Sequence, residues 1–437
     1  MNKYQSYKPS GVEWIGKIPE HWIKCRLKNI STSVNGYSFK SDDFDREYDI
    51  PVIRIGDVGD IIDFEDCIKV KSKFLEEKKD FIVKKNDILI GLTGGTIGKS
   101  GRYNYDSPSL LNQRVGLLRN KKEVLNGLLY HYVKSEVFIR YIFYDCYGGG
   151  QDNISMNDIL NMVFPLPPSQ EQLQIVQFLD EKTELIDKLI STKERKITLL
   201  KEQRTTLINQ VVTKGLNPNV KMKESGVEWI GEIPEHWFCV GTNKVYQDLG
   251  TGTTPTSDNK DYYSEDGFQW ITTTDLNEGV MYDTLTKISE KSLIDYPSLR
   301  LYPSGSIYIS MYGGRIGKLG VSTFDSYCNQ SVCVLPKNDK INVKFYYYWF
   351  LGFQDLVKNM GRGGGQPNIN KEMIKQFPTV KIDLDEQNEI VEYLDSKTKE
   401  IDDLVQLEQK KIDLLKEYRQ SLISEVVTGK IKVTTNE

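Results

Sequence analysis

The chain has 437 residues, of which 39% are apolar, 11% aromatic and 27% charged, enough for two or three buried cores rather than one. Its formal net charge is −4, so any nucleic-acid-binding surface has to be local. No apolar run approaches the length of a membrane span and the N-terminus lacks a signal-type apolar stretch, so the expected location is cytoplasmic. Six cysteines (Cys25, Cys67, Cys146, Cys239, Cys328, Cys333) and three histidines (His21, His131, His236) have no metal-ligand spacing, which predicts structural thiols and no metal.

Taken in chain order, the first motif is SGVEWIGKIPEHW at 10–22, with Trp14 and Trp22 set around Pro19, and it reads as a structural turn. ILIGLTGGTIGKSG at 88–101 is an apolar strand followed by a glycine turn. A phosphate loop needs four residues between its first glycine and the Gly-Lys pair, and Gly94 to Gly98 leaves only three. The turn exposes Lys99 instead. LLNQRVGLL at 110–118 carries Asn112, Gln113 and Arg114, and GGGQDNI at 148–154 carries Gly149, Gln151 and Asn153. Amide side chains can pair with adenine through both a donor and an acceptor, and glycines let backbone approach a surface closely. Pro168 precedes, and Gly215 ends, a predicted helix over 169–213. Its heptad tracks run Val176, Thr183, Ile190, Ile197, Arg204, Val211 and Leu179, Ile186, Lys193, Leu200, Leu207.

After a linker at 216–224 the pattern returns. SGVEWIGEIPEHW at 225–237 stands 215 residues after the first copy (225 − 10), and GGGQPNI at 363–369 keeps that offset. IYISMYGGRIGKLG at 307–320 and YCNQSVCVL at 327–335 follow their counterparts at 219 and 217. A second long helix repeats the tracks as Val391, Thr398, Val405, Ile412, Arg419, Val426 and Leu394, Ile401, Glu408, Leu415, Leu422. Lys193 and Glu408 occupy equivalent layers with opposite charge, and antiparallel helices would bring them together. About 40 helical residues at ~1.5 Å each would span roughly 60 Å.

The globular segments, 1–165 and 225–380, mix short strands with aromatic-rich helices, which predicts an α+β chain with two tandem, pseudo-two-fold-related domains. The helical stretches are set at 166–215 and 381–429, with a tail at 430–437. No Asn-Pro-Pro-Tyr segment, Ser/His/Asp set or carboxylate dyad is evident, so no catalytic residue is assigned. The candidate DNA contacts in the first copy are Thr93, Gly95, Lys99, Arg102, Asn112, Gln113, Arg114, Gly149, Gln151 and Asn153. In the second copy they are Tyr312, Arg315, Lys318, Asn329, Gln330, Arg362, Gly364, Gln366 and Asn368.

On E-W-I-G-x-I-P-E-H-W at 13–22 and 228–237, GGGQ-x-N-I at 148–154 and 363–369, P-L-P-P-S-x-E-Q at 165–172 and V-V-T-x-G at the helix ends, the chain resembles the specificity subunits of type I restriction-modification systems. The resemblance spans nearly the whole chain. It implies two target recognition domains that each read half of a split site in double-stranded DNA. It also implies an antiparallel coiled coil that spaces them and docks two modification (methyltransferase) subunits. S-adenosylmethionine chemistry on adenine would belong to those subunits, and ATP- and Mg-dependent translocation and cleavage to restriction subunits. The second copy departs from the pattern at 381–384, where KIDL replaces P-L-P-P. The variable regions correspond to 23–145 and 238–360, and their low mutual similarity implies an asymmetric target.

Overall fold

A computed structural model describes residues 2–59, 61–121, 125–146, 153–361 and 368–433. In both copies the E-W-I-G block is a β-hairpin: Tyr7–Pro9 pairs antiparallel with Lys17–Pro19, and Met222–Glu224 with Glu232–Pro234. Gly11 and Gly16 in the first hairpin, and Gly226 and Gly231 in the second, all have positive φ (68–79°), so the turn closes the same way twice.

In the first copy the central sheet holds β1 (Ser31–Asn35), β2 (Ile88–Gly91), β3 (Ser100–Arg102) and β4 (Val115–Asn120) in the order β1-β4-β2-β3, all antiparallel. Helix α1 (Leu125–Lys134) follows, and then α2 (Ser169–Lys214), a helix of 46 residues. In the second copy β5 (Gly250–Thr251), β6 (Gly279–Met281), β7 (Ile307–Ser310), β8 (Leu319–Ser322) and β9 (Val332–Leu335) form a sheet of order β5-β9-β7-β8-β6, in which only β6 and β8 run parallel. Helix α3 (Val343–Gly352) follows, and α4 (Leu384–Val427), 44 residues long, comes last.

The chain divides into two compact units. Unit 1 comprises residues 1–194 and 410–437, and unit 2 comprises 195–409. Each therefore contains one of the two globular segments and parts of both long helices. In unit 1, Ile175, Leu179 and Ile186 of α2 share a core with Leu422, Ile423 and Val426 of α4. In unit 2, Ile208, Val211 and Val212 of α2 share a core with Ile390, Val391 and Leu394 of α4, and with Ile307 and Ile309 of β7. The apolar heptad positions were the part of the helices most legible from sequence. Leu179, Ile186, Leu394, Ile401 and Leu422 are buried, while Leu200, Leu207 and Leu415 are partly so.

Polar members of the tracks find specific partners. Thr183 and Thr398 are buried and donate to the carbonyls of Leu179 and Leu394, four residues back on their own helices. In unit 2, Arg204 meets Asp402 at 2.9 Å and Lys196 meets the buried Glu408 at 3.0 Å. Eight residues forward on α2 thus correspond to six back on α4, so the two helices run antiparallel there. In unit 1 the repeat-equivalent pair, Arg419 and Asp187, meets at 3.1 Å. Lys193, expected opposite Glu408, lies in unit 1 and is partly buried, whereas Glu408 belongs to unit 2.

The helix starts are locked alike. The strand Ile23–Arg26 pairs with Val163–Leu166, and Phe238–Gly241 with Pro378–Lys381. Gln172 donates to the Pro167 carbonyl (2.7 Å) and Gln387 to that of Ile382 (2.9 Å), so the KIDL departure leaves the entry turn unchanged. No helix among the described residues is long and apolar enough to cross a membrane.

Candidate nucleic-acid interface

The glycine turn of each copy joins two antiparallel strands, β2 to β3 and β7 to β8. Gly94 and Gly98 have φ of 60° and 78°, and Gly313 and Gly317 have 68° and 79°, conformations that side-chain-bearing residues rarely adopt. The Gly98 amide donates to the Gly91 carbonyl at 3.1 Å, and that of Gly317 to Ser310 at 2.9 Å. This is a hairpin turn and not a phosphate cradle.

Three motifs scattered along the sequence converge on the residue just before this turn. In unit 1 the Leu92 amide donates to the Arg114 carbonyl (3.1 Å), and the Leu92 carbonyl accepts from the Ile154 amide (2.9 Å). In unit 2 the Met311 amide donates to Ser331 (2.9 Å), and its carbonyl accepts from Ile369 (3.0 Å). The isolated bridges Thr93–Asn153 and Tyr312–Asn368 extend the pairing by one residue each. The glycine turn, the Asn-Gln turn and the end of the GGGQ segment therefore form one cradle, built twice. Gly149, Gln151, Arg362, Gly364 and Gln366 lie outside the described residues.

A fourth element was not anticipated. The Gly36 amide donates to Val115 and the Tyr37 amide to Leu111; in unit 2, Gly252 and Thr253 donate to Asn329 and Cys328. A Cβ at Gly36 would lie 1.9 Å from the Asn112 carbonyl oxygen, and one at Gly252 would lie 1.6 Å from that of Cys328. Only glycine fits. The sequence signal was a lone glycine at 36 and another at 252, too common to single out.

The candidate side chains separate into two groups. Lys99, Gln113, Arg114, Tyr312 and Gln330 are exposed, while Thr93, Asn112 and Asn329 are partly so; Gly95 is exposed. Asn329 accepts from the Ser331 amide at 3.1 Å, and Gln330 accepts from the Thr254 hydroxyl. Three cations expected to reach DNA are engaged within the protein instead. The Arg315 guanidinium donates to the carbonyls of Thr273 (2.9 Å) and Leu276 (3.1 Å) and to Asn277 Oδ1 (2.9 Å), bracing that segment. Lys318 is paired with Glu278, which also accepts from Gln354. The carboxyl of Glu278 is held below its ordinary value because these donors outweigh its partial burial. Arg102 stacks over the Tyr130 ring at 4.9 Å. For Arg315 and Lys318 the cause is an acceptor some forty residues upstream, invisible to a local reading.

The His-Trp pair of each block is structural. Trp22 and Trp237 are fully buried, and each donates its indole N–H to a carboxylate on the first turn of a long helix, Glu171 or Glu386, both at 2.9 Å. His21 and His236 bond the same carboxylates at 2.6 and 3.0 Å. His131 is buried and bonds Asp180 of α2 at 2.7 Å. Burial pushes the thiols of Cys25 and Cys67 up to about 11 and that of Cys333 to about 12, as expected of inert structural cysteines. Among the described residues no cluster of His, Cys, Asp and Glu could hold a metal ion.

The family model described as "Type I restriction modification DNA specificity domain" matches the chain twice, over residues 19–199 and 246–428. The chain is 27% identical to a putative type I restriction enzyme MjaX specificity subunit of Methanocaldococcus jannaschii, over 96% of both proteins. It is 25% identical to the MjaVIII specificity subunit of the same organism, over 83% of this chain and 84% of that one. Among solved structures, a chain from work on complex assembly and conformational transition of the type I R-M system superposes with a TM-score of 0.72 at 15% identity, covering 95% of this chain and 99% of that one. The HsdS subunit from Thermoanaerobacter tengcongensis superposes at 0.51, also at 15% identity, over 95% and 98%.

Proposed function

Because the chain belongs to the type I restriction-modification DNA specificity family, we propose that it is the DNA-sequence specificity subunit of a type I restriction-modification complex, a binding subunit that performs no catalysis itself. The recognition regions at 1–165 and 225–380 each read one half of a bipartite, asymmetric site in duplex DNA. The helical stretches at 166–215 and 381–429 set the distance between the halves and dock two modification subunits. Those subunits bring S-adenosylmethionine, and restriction subunits bring ATP and Mg. A cytoplasmic location follows from that assembly.

One observation carries the reading: the same three-motif cradle is assembled twice on equivalent backbone hydrogen bonds, with unlike exposed side chains in the two copies. Duplicated scaffolds with different surfaces suit two half-sites of different sequence better than a duplicated active site. Docking is supported by apolar side chains left exposed on the long helices: Leu185, Leu189, Leu414 and Tyr418 in unit 1, and Leu199, Leu404 and Leu407 in unit 2. Each set lies at a matched level of its antiparallel pair, so two like partners fit.

The test is to assemble the chain with its modification subunits and map methylated adenines on genomic DNA. A single bipartite motif with unlike halves is the expected result. Methylation without sequence preference, or methyl transfer by the purified chain alone, contradicts the proposal.

A further inference from the structure

We propose that Arg114 and Tyr312 are the residues that make the two half-sites different. Arg114 pairs with a guanine in the half read by unit 1, and Tyr312 packs on a thymine methyl in the half read by unit 2. This rests on the functional reading above and assigns its specificity to named side chains.

The backbone of the two cradles is one design. The glycine pairs have φ values within about ten degrees of each other, and the residue before each turn makes the same two hydrogen bonds. Gly95 and Gly314 add a further clue. Neither has positive φ, both are exposed, and a Cβ built on either meets nothing within 4 Å. The fold does not call for glycine there, yet both copies have it. A surface pressed onto the turn from outside accounts for the missing side chain.

With backbone and glycines shared, what each cradle recognises has to come from the side chains that differ. Around the glycine and Asn-Gln turns these include Thr93 against Tyr312, Thr96 against Arg315, and Arg114 against Ser331. Arg315 is consumed by carbonyls of its own domain. Lysine occurs in both copies at 99 and 318, and Lys318 is neutralised by Glu278. Among the described residues of the two turns, that leaves the exposed differences at 114 and 312. Arg114 is exposed on the very turn whose carbonyl holds Leu92, and a guanidinium fork matches the O6 and N7 acceptors of guanine. Ser331 offers no such fork. Tyr312 is 45% exposed beside the open glycine, where an aromatic face suits the methyl group of thymine. Gln330, its carbonyl oxygen engaged by Thr254, keeps its amide hydrogens for a neighbouring acceptor.

The experiment compares wild type, Arg114→Ser, Arg114→Lys and Tyr312→Thr, each assembled with the modification subunits, in competition binding to a library of duplexes randomised across the target. Arg114→Ser should reduce the preference for guanine at one position of one half by roughly tenfold or more, with melting temperature and the other half unchanged. Arg114→Lys should not restore it, because a point charge lacks the fork. Tyr312→Thr should relax a single position in the opposite half. Loss spread evenly over all sequences, full rescue by lysine, no change, or both variants acting on the same half each overturn the proposal. A wild-type complex without a bipartite preference would instead remove the functional reading on which it rests.

Discussion

At Glu171 three donors converge on one carboxylate: the indole of Trp22, the imidazole of His21 and the phenol of Tyr4, at 2.6 to 2.9 Å. Partial burial alone would raise its pKa, but the three hydrogen bonds outweigh it and hold the carboxyl below its ordinary value of 4.5. A carboxyl depressed in the folded state adds stability that is present above 4.5 and disappears as the pH falls through the lower folded value. Glu171→Gln should therefore melt below wild type at pH 7, and the gap should close as the pH is lowered below about 4.5. A gap that stays constant over that range would mean the charge is irrelevant to the contact. The glycine turns yield a second residue-level outcome. Gly95→Ala should leave stability unchanged or raise it by about 0.4–1 kcal/mol, since open space surrounds the new methyl and the unfolded chain loses freedom. Gly98→Ala, at φ 78° with Ile139 Cδ1 at 3.2 Å, should cost about 1 kcal/mol or more. If the turn lies against DNA, Gly95→Ala weakens DNA binding by the assembled complex although the protein is no less stable. Unchanged binding would remove the turn from the interface.

At the level of elements, the long helices carry equivalent arginine pins, one in each unit. Arg204 faces Asp402 and Arg419 faces Asp187, with both arginines 24% exposed at the side chain and both aspartates about half exposed. Solvent screening limits such pairs, so double-mutant cycles to alanine should yield a coupling of about 0.5–1 kcal/mol for each. The two couplings should agree within about 0.5 kcal/mol because the environments repeat. A coupling present in one unit and absent in the other would mean that the register is not fixed the same way twice. These pairs also mark the limit of what was legible. Heptad spacing identified the buried leucines and isoleucines and placed both arginines on the tracks, because that pattern is local. Asp187 and Asp402 could not be identified as partners, since each lies on the opposite helix and depends on register. In the recognition regions, glycine spacing exposed the hairpin turns, and the Asn-Gln motifs pointed to the surface. The inward turn of Arg315 and the pairing of Lys318 with Glu278 depend on acceptors brought in by the fold from 273–278, so two cations that looked free for DNA are not.

For the molecule as a whole, the internal repeat has a topological consequence. Unit 2 is one continuous stretch, 195–409, whereas unit 1 joins both ends of the chain, 1–194 and 410–437. The boundaries 194 and 409 differ by the repeat offset of 215, so each unit is a repeat cut inside its long helix. Residues near the two ends of the chain meet within unit 1: the Lys432 amide donates to the Asn2 carbonyl at 2.8 Å. Under the repeat offset both residues map to Asn217, which lies in the exposed loop where the chain runs on without a break in unit 2. Gly429 reaches Trp22 and Pro19 as Gly215 reaches Trp237, so the helix ends dock alike whether or not the chain continues. A permuted chain, with residue 437 joined to residue 1 and new termini opened between Asn217 and Asn219, should therefore fold with the same cores. The cost should be small, because exposed loops with short end-to-end distances accept such cuts. The measurements are the melting temperature of the permuted chain and the motif it confers on the assembled complex. A melting temperature within a few degrees of wild type and an unchanged bipartite motif are the expected outcomes. Failure to fold would show that the covalent order of the repeats matters beyond the contacts each unit makes, and an altered half-site would show that the linker takes part in reading DNA.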